Sequence, residues 1–146
     1  MRFYKFMSDD GGFSVTTLPH NFKRIRLNLA RSKEFPQGSP RHGYEFVAPL
    51  DADGHIDLAQ WKKDHAHCRV RRFWEGEEDE VGQVMFNARA SEASRWFFDY
   101  DSDDSEDDER GYRFGSHAFR PGEYVSIRGV DGEMHTFQVV SVEAAV

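Results

Sequence analysis

Between Phe22 and Arg31 the chain reads FKRIRLNLAR, placing Ile25, Leu27 and Leu29 on one face and Arg24, Arg26 and Asn28 on the other. Successive side chains of an extended chain point to opposite sides, so a period of two is the mark of a half-buried β-strand. The same rhythm returns near the C-terminus in RPGEYVSIRGVDGEMHTFQVVSV. There Pro121-Gly122 turns the chain into EYVSIR, and Asp131-Gly132 links that strand to MHTFQVVSV as a hairpin. Val125 and Ile127 face the core on the first arm, and Phe137 and Val139 on the second. Val140 and Val142 keep the period but change parity, which predicts a bulge near Val139.

Shorter segments follow the same grammar. MRFYKFM and FSVTT read as strands parted by Asp10-Gly11-Gly12, and GYEFVAPL as a strand that Pro49 ends. SKEFPQGSPRHG, with two Pro and two Gly, reads as an exposed loop. CRVRRFW, GQVMFNAR and SRWFFDY supply three more strands. The one helical signal is DLAQ, which fits the capping-box spacing with Asp57 as N-cap and Gln60 as its reciprocal partner, and Ile56 and Trp61 can staple the first turn. A helix is expected from Leu58 to His65 or His67, too short to stand without a sheet beneath it.

The apolar inventory agrees with sheets. Phe occurs 13 times, more often than Leu and Ile together, so rings must fill space that aliphatic side chains usually fill. A chain of 146 residues is the size of one domain. The expected fold is therefore mainly β: a single domain over 1–146, built as a small β-barrel or bent antiparallel sheet of about eight short strands, with one short helix near 58–66. Met1 to Asp10 lacks the apolar stretch of a signal peptide, no run is long enough to span a membrane, and the single Cys68 suits a reducing compartment. A cytoplasmic protein with no membrane contact, monomeric or weakly dimeric, is expected.

The formal net charge is −7, but eight of the 26 acids lie in DYDSDDSEDDE, residues 99–109. Like charges at that density cannot share a packed interior, so the segment is expected to be a solvated acidic loop. Outside it, basic and acidic blocks alternate, with Lys62, Lys63, Arg69, Arg71 and Arg72 running into Glu75, Glu77, Glu78, Asp79 and Glu80.

The stretch F-x-P-G-E-Y-V-S-I, a DG turn and H-T-F-Q-V-V-S-V resembles the hairpin of SH3-like and related small β-barrels over Phe119 to Val142. PGEYVSI also resembles a phrase of the flavin-binding barrel of ferredoxin-reductase-like enzymes, but HTFQVVSV departs from the Arg-x-Tyr-Ser strand that holds flavin there. RHGYEFVAPLDADGHIDLAQWKK, with PGEYVSIR, resembles uncharacterised bacterial proteins of unknown function. That resemblance implies no activity.

Several constellations carry chemistry if folding brings them together. Leu50-DADGHIDLAQ-Trp61 has the centre of a calcium loop in Asp51, Asp53, Gly54 and Asp57, but Pro49 and Gln60 replace its two terminal acids. His65, His67 and Cys68 form a cluster of borderline-soft ligands, able to share zinc only where the helix has ended, because residues two apart on a helix face away from each other. Arg24 and Arg26 on one strand and Arg69 and Arg71 on another can form a basic ridge beside Phe22 or Phe73. The net charge argues against nucleic acid as its target. Asp101, Asp103, Asp104, Asp107 and Asp108 offer an acidic surface to a basic partner.

No nucleophile elbow, phosphate loop, zincin helix or dinucleotide fingerprint is present, no catalytic residue is identified, and no cofactor is required beyond the zinc or calcium these groups would suit. The reading is a non-enzymatic binding or adaptor module that meets an unknown protein partner through charged strand faces and the acidic loop. The alternative is a small zinc-type protein or enzyme using His65, His67, His117 and His135.

Overall fold

The computed structural model describes residues 4–7, 13–16, 21–101, 108–129 and 131–145, and in it the alternating segments become strands. β1 (Tyr4–Met7) and β2 (Phe13–Thr16) pair as a separate antiparallel hairpin. The Asp10-Gly11-Gly12 turn expected between them lies outside the described residues. The other eight close on themselves: β3 (Phe22–Leu29), β4 (Ser39–Pro49), β5 (Arg69–Trp74), β6 (Glu80–Phe86), β7 (Trp96–Tyr100), β8 (Glu109–Tyr112), β9 (Tyr124–Arg128) and β10 (Met134–Ala144). Each pairs with the next in antiparallel fashion, and β10 returns to β3. The fold is mainly β, a closed eight-stranded barrel with one short helix. Closure leaves none of the eight strands with an unpaired edge.

An eight-stranded barrel has an interior just wide enough for side chains to fill it, and here rings do so. Phe46 meets Phe98 at 5.5 Å and Phe119 at 5.7 Å between centroids, and Phe114 meets Phe119 at 5.2 Å. Ile25, Leu27, Val84, Val125, Ile127 and Val139 complete the core, each at most 1% exposed. Gly43 lets β4 lie close to β3: a Cβ there would land on the Leu27 carbonyl oxygen. The pairing of β10 with β3 shifts register between Val139 and Ser141, which is the bulge that the change of parity at Val140 predicts.

One end of the barrel is covered by α1 (Leu58–Asp64), which a 3₁₀ turn over His65–His67 continues. Asp57 caps the helix through Gln60 N–H at 3.1 Å. The Gln60 side chain does not reach back to close the expected capping box; it donates to Asp64 at 2.7 Å. Trp61 is the plug, with its indole N–H donating to Val84 O at 2.9 Å.

Three sequence expectations need correction. The loop read over residues 32–43 is shorter, because β4 begins at Ser39 and takes in Pro40 and His42. Pro40 is tolerated because β5 pairs with β4 only from His42 onward, so no ladder bond is asked of a missing N–H. β6 begins inside the acidic EGEEDEV stretch, at Glu80. The acidic loop is also shorter than 99–109: Asp99 and Tyr100 end β7, and Glu109 opens β8 and is buried at 6% exposure. Charge density hid this strand, since seven of the eight acids do not predict where the eighth goes.

Candidate functional site at the barrel mouth

Among the described residues, the end opposite α1 is not covered. Its cavity, about 310 Å³, is walled by Tyr44, Trp74 and Phe137, with Arg72, Glu109 and His135 also facing it. Exposed Glu34, Asp131 and Glu133 line its rim, and Arg72 is the one Lys or Arg among the described residues that line it.

Four strands place the floor. Tyr44 on β4 and Tyr100 on β7 point inward by the strand alternation and donate their hydroxyls to one oxygen of Glu109, Oε1, at 2.8 and 2.6 Å. The other oxygen, Oε2, stands 3.8 Å from Arg72 Nε, too far for a direct hydrogen bond. Arg72 Nε is buried and donates to no described group. The Arg72 guanidinium is held instead by Glu77 at 3.0 Å, with Glu80 at 3.7 Å, and lies 4.6 Å over the Trp74 ring. Behind Trp74, buried His42 packs edge-on at 4.7 Å and shares a 2.6 Å hydrogen bond with Ser39, which fixes the wall.

These surroundings set the protonation of the floor. Burial raises the Glu109 pKa above the ordinary carboxylate value, and the hydrogen bonds from Tyr100 and Tyr44 and the charge of Arg72 offset this only in part. Burial works against the charge of Arg72, but Glu109, Tyr44 and Glu77 outweigh it, and its pKa rises. Tyr44 and Tyr100 are raised far above the usual phenol range, by burial first and then by Glu109, with Tyr44 adding to the rise at Tyr100. Both phenols therefore stay protonated and act as fixed donors.

The residues singled out from sequence fall elsewhere. Arg24, Arg26, Arg69 and Arg71 do share one outer face of the barrel, across β3 and β5 with Glu45 and Val47 of β4 between them. The Phe73 ring lies under Arg26 at 4.4 Å and Arg71 at 4.9 Å. All four are engaged: Arg69 with Asp101 at 2.7 Å, Arg71 with Asp79 at 3.0 Å and Glu45 at 3.6 Å, Arg26 with Asn28 and Pro40 O, and Arg24 with another group of the protein. Asp103, Asp104 and Asp107 lie outside the described residues; Asp108 lies just before β8.

His65 packs on Trp61 at 5.1 Å. Cys68 is fully buried, its thiol directed at Asp64 O, and burial with the nearby Asp64 pushes its pKa up to about 12. Among the described residues, the triads whose ligand atoms lie within 4.8 Å of one another are Asp51, Asp53, His55 and Asp131, Glu133, His135, and neither contains His65, His67 or Cys68. In the first, Asp51 Oδ1 accepts the N–H groups of Asp53 and His55, which makes it the anchor of a turn.

Sequence reasoning missed Tyr44, Arg72, Tyr100 and Glu109. The available signal was that Glu109 sits two residues before Gly111 in a short segment, ERGY, with room for one strand.

No protein-family model, no curated protein and no solved structure matches this chain. None of its helices among the described residues is long and apolar enough to cross a membrane.

Proposed function

We propose that this barrel is a binding module that holds a small organic cation, of the primary-amine class, in its acidic mouth. The observation that carries the reading is Glu109: a carboxylate 6% exposed, fixed through one oxygen by two tyrosines, at the floor of a cavity rimmed by three further acids. Four acids, Glu34, Glu109, Asp131 and Glu133, face one arginine, Arg72, which Glu77 and Glu80 already hold, and a concave site with such an excess of one sign concentrates counter-ions of the other. Trp74 and Phe137 supply aromatic walls suited to a cation with an apolar body. The charged strand faces first considered for a partner support binding less well, because the arginines there are already engaged with the protein's own groups.

Titration calorimetry with putrescine and spermidine at low salt tests this, with 1,4-butanediol as the uncharged analogue. Amine binding that the diol does not show, weakened at least tenfold by Glu109→Gln and reduced by salt, is expected. No amine binding, or equal affinity in Glu109→Gln, sinks the reading.

A metal-dependent protein is the second reading, supported by the approach of Asp131, Glu133 and His135 at the same rim. Zinc or calcium binding that Asp131→Asn abolishes, in a protein that takes no amine, would favour it instead.

A further inference from the structure

At the other end of the barrel a separate cleft of about 290 Å³ opens beside α1. Its apolar side is made by Ile56, Leu58, Phe86 and Trp96, and its charged side by Arg95 and Arg113, with Glu92 as the one acid. The net charge is positive, opposite to the mouth.

Three features make it a built site. Trp96 is 4% exposed, locked by Phe86 at 4.8 Å and Trp61 at 5.4 Å, yet its indole N–H donates to no group among the described residues. That nitrogen faces Gly115, where a Cβ would stand 3.5 Å from it, so the absence of a side chain there keeps the donor open to the cleft. Among the described residues neither Arg95 nor Arg113 forms an ion pair, though the charge of Glu92 acts on Arg113: Arg95 reaches Ala90 O at 3.4 Å, and Arg113 Nε donates to Tyr112 Oη at 3.0 Å. Arg113 is also the one non-glycine among the described residues with a positive φ, +53°. Its backbone is pinned there by its N–H to Ala93 O and by Ser116, which donates to its carbonyl from both N and Oγ. Glycine would fit that conformation without strain. An arginine there carries backbone strain that glycine would avoid.

We infer that this cleft binds a small monocarboxylate with an apolar body, the carboxylate taking the Trp96 N–H and the Arg95 and Arg113 guanidiniums and the body lying on Phe86, Ile56 and Leu58. A carboxylate accepts on both oxygens and matches the forked donors of arginine. An uncharged molecule would leave Glu92 as the only counter-charge to the two guanidiniums in the cleft.

Nitrogen-edited proton NMR with benzoate, and with benzamide as the neutral analogue, tests the assignment, using Trp96→Phe to identify the Trp96 indole resonance. Benzoate is expected to saturate a downfield shift of that resonance, with benzamide at least tenfold weaker. Arg113→Gly should weaken benzoate at least fivefold while leaving the melting temperature unchanged or higher, and Arg95→Gln should weaken it similarly. An unmoved Trp96 resonance, equal affinity for benzamide, or unchanged benzoate affinity in both arginine variants overturns the proposal. A fall in melting temperature of several degrees in Arg113→Gly also overturns it, because the arginine would then be structural.

Discussion

A buried carboxylate whose pKa is raised makes stability depend on pH in a known direction. Folded Glu109 holds its proton to higher pH than it does in the unfolded chain. The folded state therefore binds more protons across that interval, and stability falls as pH rises from the ordinary carboxylate range through the raised value. Glu109→Gln removes the effect and keeps an oxygen for the two tyrosines, while Glu77 and Glu80 still hold Arg72. Denaturant unfolding of both proteins from pH 4 to 8 should show the Gln variant gaining relative stability as pH rises, and a constant difference would refute the assignment. Amine binding needs the ionised form, so affinity should increase over the same window. Cys68 tests burial by reactivity: with its pKa near 12 and no exposed surface, it should resist iodoacetamide at pH 8 in the native protein and react on unfolding. Labelling of the native thiol at the unfolded rate would contradict the packing.

At the level of elements, the described ends of the acidic segment differ: Asp101 is exposed and Glu109 is buried in β8. Asp101 pairs with Arg69 at 2.7 Å, but both side chains are more than a third exposed, where such pairs contribute about 0–1 kcal/mol. Replacing the acids from Asp101 to Asp108 with Ser and Gly should thus leave the melting temperature nearly unchanged, and a loss of several °C would contradict this. The helix is more sensitive: Asp57→Ala removes the cap on Gln60 N–H and should cost about 1 kcal/mol in denaturant unfolding. Both elements were legible to different degrees. The DLAQ spacing announced the helix and its start because capping is a local interaction over four residues. β8 was hidden because ERGY is too short to show a period and sits at the end of a charge run, so only its pairing with β7 and β9 makes it a strand.

For the molecule as a whole, closure rests on β10, which pairs with β9 along one edge and β3 along the other. Removing residues 134–146 would expose both edges and take away Phe137 and Val139 from the core. Loss of a cooperative thermal transition is expected, since a small barrel without one of its strands has neither a closed hydrogen-bond ladder nor a filled interior. A truncated chain that still melts cooperatively would show that the barrel is not the cooperative unit.

What the sequence by itself determined was local and periodic: where the strands other than β8 run, which faces of β3, β9 and β10 are apolar, the Asp131-Gly132 turn, the bulge after Val139 and the capped helix. These follow from neighbours within a few residues, where alternation and turn chemistry leave few choices. Only the tertiary structure decided the two cavities from which the binding proposals are argued. Tyr44 and Glu109 are 65 residues apart, and Arg72 joins them from a third strand. Trp96 and Arg113 meet because β7 pairs with β8 and the turn after β8 folds back beside it. Barrel closure sets which residues share an end of the molecule, and desolvation there, rather than residue type, turns one glutamate among many acids into a buried carboxylate facing a cavity.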